Sequence, residues 1–124
     1  MSVPYKDHSE IEAVVKGFES CTTAKENFRH RDHLAVAVWY LRSSNAEDSL
    51  EKMRTGLNRF LNYHGVDRQK YKEDLTAAWI NVIDKLISEL GPELSLVEVA
   101  NIVHERLGDK QVTLDGNGSV SLSE

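Results

Sequence analysis

Apolar residues recur at helical spacing along most of the chain. Ile11, Val14, Val15 and Phe18 fall on one face of a segment from about Ser9 to Ser20. Ser9 precedes Glu10 and Glu12, which suits an N-cap with acids in the first turn. Ala35 to Leu41 is apolar on every side, within a segment from about Arg31 to Arg42. A helix without a polar face belongs at the centre of a bundle. Valine and aromatics also favour strands, but the length and the helical segments that follow favour helix.

A third helix follows Ser43-Ser44-Asn45, with Asn45 as cap and Glu47 and Asp48 at the positive end of the dipole. Its stripe is Leu50, Met53, Leu57, Phe60 and Leu61, and Gly65 is its stop. The fourth, about Glu73 to Leu90, repeats Leu75, Ala78, Trp79, Val82, Ile83, Leu86, Ile87 and Leu90 until Gly91-Pro92. The fifth opens with the capping box Ser95-Leu96-Val97-Glu98. Leu96, Val99, Ala100, Val103 and Leu107 line its inner face, and Gly108 ends it. From Gln111 to Glu124 the pattern changes. Val112 and Leu114, then Val120 and Leu122, alternate with polar residues around Asp115-Gly116-Asn117-Gly118, a hairpin signature or an extended arm. The expected architecture is an all-α, single-domain bundle of five helices over 1–110, with a tail over 111–124 that is a hairpin, an extended arm or disordered.

Composition adds bounds. Apolar residues are 40% and charged residues 28%, an ordinary globular balance. A net charge of -5 argues against nonspecific nucleic-acid binding, which needs a basic face, and against anionic membrane surfaces. No apolar run approaches the roughly 20 residues of a membrane span. Met1 to Asp7 shows no signal-peptide pattern, so a cytoplasmic chain is expected. Cys21 is alone and lacks local activating residues; it reads as a small residue at a helix end.

Candidate chemistry concentrates in two stretches. In Phe28-Arg29-His30-Arg31-Asp32-His33-Leu34, two histidines stand three apart at the entry to the most apolar helix. Within the helix they share a face. If His30 is instead the N-cap, the dipole favours its neutral form. They read as pocket residues, as ligands to a divalent transition metal, or as a cap and a satisfied core histidine. A metal needs further ligands, for which Glu73, Asp74, His64 and His104 are candidates, with His30, His33 and Glu73 the set chosen. In an enzyme, a neutral histidine acting as general base is the simplest role.

The second stretch is Lys70-Tyr71-Lys72-Glu73-Asp74-Leu75-Thr76-Ala77-Ala78-Trp79. A helix start can meet an anion, and Tyr71, Thr76 and Trp79 supply a phenol, a hydroxyl and an indole. Lys70, Lys72 and Asp74 read as a charged helix start. His8 and His64 read as solvated, and His104 as part of a polar helix face.

Together, Phe28-x-His30-x-x-His33-Leu34-x-x-Ala37-x-x-Tyr40-Leu41, Gly56-Leu57-x-x-Phe60 and Lys70-Tyr71-x-Glu73-x-Leu75-Thr76-x-Ala78-Trp79 resemble a group of small uncharacterised bacterial all-helical proteins. The resemblance covers about residues 28–80. It implies a helical fold and a pocket at these motifs, and no reaction. The group tends to carry histidine and threonine where this chain has Lys72 and Asp74. A protonated lysine is a poor metal ligand.

In the tail, Thr113 to Glu124 can be laid on the calcium loop, with Asp115, Asn117, Gly118, Val120 and Glu124 at its third, fifth, sixth, eighth and twelfth places. Thr113 in the first place loses an anionic ligand, and a hairpin turn explains the glycines more simply. The expected function is small-molecule binding in a pocket lined by His30, His33, Tyr71, Thr76 and Trp79. The alternative is a non-catalytic module that pairs with itself or a partner protein through an apolar face.

Overall fold

In the computed structural model, which describes residues 4–114 and 120–123, five α-helices surround one apolar core. They are α1 (His8–Glu19), α2 (His30–Ser43), α3 (Ala46–Tyr63), α4 (Glu73–Leu90) and α5 (Leu96–Leu107). Short 3₁₀ turns at Lys25–Asn27 and Arg68–Lys70 lie in the connections before α2 and α4. No helix among the described residues is long and apolar enough to cross a membrane.

α2 is the central element, as its all-round apolar sequence predicts. Leu34 to Val38, Tyr40 and Leu41 are buried, and α2 packs against all four other helices. Trp39 is the half-buried exception, its ring tilted against that of His8 at 5.2 Å. Phe18, Phe28 and Phe60 form an aromatic cluster at the α1–α2–α3 junction, with ring centroids 4.9 to 5.9 Å apart. Such pairs favour offset or tilted geometry and add to the stabilisation from burial.

The helix ends follow local chemistry, with two corrections. α1 is capped by Asp7, whose carboxylate accepts from the Glu10 N–H; Ser9 lies inside the helix and donates to Asp7. α2 starts one residue earlier than its apolar run suggests. Arg29 is its N-cap, so His30 is the first helical residue and not the cap. The Asp32 carboxylate closes this end by accepting from the Arg29 N–H at 3.0 Å and from the Tyr5 hydroxyl at 2.9 Å. Asn45 caps α3, and Ser95 and Glu98 form the box that opens α5. Gly65 and Gly91 adopt the positive φ values expected of helix stops. Cys21 also turns left-handed, at φ 61, just beyond α1, and is buried.

The tail forms β1 (Gln111–Leu114) and β2 (Val120–Ser123), paired antiparallel with Val112 opposite Leu122. β1 runs beside α4, which gives the hairpin a surface to dock on. Asp115, Asn117, Gly118 and Glu124, to which a calcium loop would assign ligand or turn places, lie outside the described residues.

Candidate functional site

One cavity of about 390 Å³ brings together the residues singled out from the sequence. α2 supplies His30 and His33, α4 supplies Thr76 and Trp79, and Tyr71 comes from the segment before α4. The i, i+3 spacing within α2 places both imidazoles on this face. α3 closes the cavity with Met53, Leu57 and Leu61, which the helical stripe marked only as core. Ile80 and Ile83 form its deep wall.

The two histidines differ. The His30 ring meets Trp79 edge to face at 4.9 Å, and its Nε2 lies 3.4 Å from the Leu107 carbonyl. His33 is half-buried, with its ring tilted over Phe28 at 4.4 Å. Burial, aided by the neighbouring His30, pushes the His33 imidazole down to about 4, against a weaker upward pull from Asp32. His33 is therefore neutral at physiological pH. General-base efficiency is greatest when the pKa lies near the working pH. His33 suits hydrogen bonding better than proton abstraction.

Tyr71, Glu73 and Arg54 form a chain at the cavity mouth. The Tyr71 hydroxyl donates to Glu73 at 2.5 Å. Arg54 on α3 donates to both oxygens of the same carboxylate, at 2.9 and 2.6 Å. These bonds, Arg54 first, hold the Glu73 carboxyl down to about 2. Burial and the Glu73 bond push the Tyr71 phenol up to about 12. The Thr76 hydroxyl donates back to the Lys72 carbonyl at 3.0 Å, a common arrangement within a helix.

This chain removes Glu73 from the predicted metal set. Its carboxylate is committed to a guanidinium and a phenol, and it is absent from the cavity wall. Among the described residues, no three His, Cys, Asp or Glu side chains are grouped to hold one ion. His30, His33 and Glu73 are not assembled as a ligand set.

Lys70 and Lys72 read from sequence as part of a charged helix start. Lys72 is the N-cap of α4, and both lysines also line the cavity while remaining exposed at its rim. Neither has a carboxylate partner among the described residues. Leu75, placed by periodicity on the inner stripe, is 38% exposed and also lines this cavity. The signal for both was their closeness to Tyr71 and Thr76, but three-residue spacing does not distinguish a rim from a solvated face.

His64 and His104 contribute no ligand here, and neither is fully solvated. His64 lies half-buried between the rings of Phe60 and Tyr63, and its Nε2 is buried without a hydrogen-bond partner among the described residues. The Nδ1 of His104 is likewise buried and unpartnered among them, near Gly108. Comparison with protein-family profiles, curated proteins and solved structures finds no match to this chain.

Proposed function

We propose that this protein binds a small organic molecule in the cavity between α2, α3 and α4. The observation that supports the reading most is convergence. Residues from two sequence-separated motifs, 28–41 and 70–79, meet across one cavity of about 390 Å³. A concave site with a largely hydrocarbon wall and a few polar groups is the usual form of a small-molecule pocket. The polar groups are two imidazoles, a phenol and a hydroxyl, with two ammonium groups at the rim.

The competing reading, a protein-interaction module, has less support. Tyr63 and Leu75 are the large apolar residues with high exposure among those described, and Leu75 belongs to the cavity mouth. Two scattered side chains do not form an apolar docking face.

Trp79 is a built-in reporter. In a Trp39→Phe background, octan-1-ol is expected to shift Trp79 emission saturably. Ala37→Leu, which pushes three carbons into the cavity from α2, is expected to weaken that response while the helical circular dichroism is retained. A probe that leaves Trp79 unchanged, or binds Ala37→Leu equally well, sinks the reading.

A further inference from the structure

The mouth of the cavity is cationic in an acidic protein. The chain carries a net charge of -5, yet this wall holds Lys70 and Lys72 and, among the described residues, no carboxylate. The adjacent acid, Glu73, is already paired with Arg54 and accepts from the Tyr71 hydroxyl. Two like charges at one cavity rim, flanking Tyr71 in sequence, favour a bound anion there. The α4 start beside them has no side-chain cap, so the dipole adds in the same sense.

Behind the charges the wall is hydrocarbon, with Met53, Leu57, Trp79 and Ile83. His33 adds a polar ring whose nitrogens make no hydrogen bond among the described residues. No arginine is in the described wall. Arginine's planar fork matches carboxylate and phosphate alike, whereas lysine acts as a point charge, so this wall selects negative charge rather than one head-group geometry.

We infer that the cavity takes an amphipathic anion, with its charged head at Lys70 and Lys72 and its apolar body against Met53, Leu57 and Trp79. This inference rests on the reading of the cavity as a small-molecule site and names the chemistry of its ligand. The α4 start and the lysines orient the head; the aromatic and aliphatic wall accepts the tail. His33 offers a neutral hydrogen-bonding group within the same cavity.

The test pairs two probes of equal chain length, octanoate and octan-1-ol, titrated against Trp79 emission in the Trp39→Phe protein. The expected result is octanoate binding about tenfold or more tighter than octan-1-ol, as charge-assisted contacts predict. Lys70→Gln/Lys72→Gln should abolish the difference in affinity between octanoate and the alcohol. Both side chains are exposed, so this variant keeps the fold. Equal binding of the two probes, both weakened by Ala37→Leu, overturns the anion and leaves the cavity reading standing. An octanoate preference that survives the double substitution overturns the assignment to these lysines. Failure of both probes to move Trp79 overturns the cavity reading and this inference together.

Discussion

The ring of Phe18 lies directly against the backbone of α3 at Gly56. A Cβ at Gly56 would stand 2.5 Å from Cε2 and 2.6 Å from Cζ of that ring. Phe18 is fully buried and cannot retreat. Gly56→Ala raises helix propensity by about 1 kcal/mol, but overpacking a core costs roughly 1–3 kcal/mol. We expect a net loss of about 1 kcal/mol, seen as a lower urea midpoint with an unchanged slope. In Phe18→Leu, the same substitution should become neutral or stabilising. Equal effects in both backgrounds would show that the contact is not the cause.

Asp32 ties the start of α2 to the N-terminal segment through Tyr5. Asp32→Ala removes the acceptor of the Arg29 N–H and leaves the Tyr5 hydroxyl without its carboxylate. The expected cost is about 2–3 kcal/mol, combining a lost cap with a broken buried hydrogen bond. Tyr5→Phe should cost less, about 1 kcal/mol, since Asp32 keeps the backbone bond. Chemical denaturation of the two variants checks the order, and a larger loss in Tyr5→Phe would contradict it.

His33 makes stability pH-dependent. Its folded pKa of about 4 lies below the unfolded value of about 6.5. Between these values the unfolded chain takes up a proton and the folded protein does not. Stability therefore falls as pH drops from about 6.5 to about 4, by at most about 3 kcal/mol. His33→Gln should flatten that part of the profile of melting temperature against pH. Proton NMR should show the His33 ring still neutral at pH 5.5, and a midpoint near 6.5 would refute the assignment.

Glu73 gives the opposite case, a carboxylate whose folded pKa is depressed. The Arg54 pair contributes stability above the unfolded carboxylate pKa of about 4.3 and loses it as pH falls toward about 2. Both partners are exposed, so screening keeps the effect small at neutral pH. Glu73→Gln should match the parent at pH 7 in 0.5 M salt and be less sensitive to acid between pH 4 and 2. A large loss at pH 7 would mean that Glu73 has a role beyond this pair.

His30→Ala should weaken octan-1-ol binding severalfold, about 1 kcal/mol, because it removes the ring that holds Trp79 edge to face. Far-UV circular dichroism should be unchanged, since His30 is an exposed first-turn residue. Unfolding in place of weaker binding would assign the ring a structural role alone.

The period of α4, the Ser95–Glu98 box and the all-apolar run of α2 are local patterns, and the fold reproduces them. His30, His33, Tyr71, Thr76 and Trp79 line one cavity, and as polar groups beside an apolar stripe they stand out in the sequence. Ile80 was missed, since it falls between the positions of the stripe yet is buried. Asp32 was missed because its partner Tyr5 is 27 residues away.

By itself, then, the sequence determined the helices, most of their ends and the central place of α2. Those follow from periodicity and capping, which act over a few residues. Only the tertiary structure decided that Arg54 takes Glu73 from any metal set, that Lys70 and Lys72 face a cavity, and that burial holds His33 neutral. Each depends on which helix faces which, and charge pairing and desolvation are set by neighbours in space rather than along the chain.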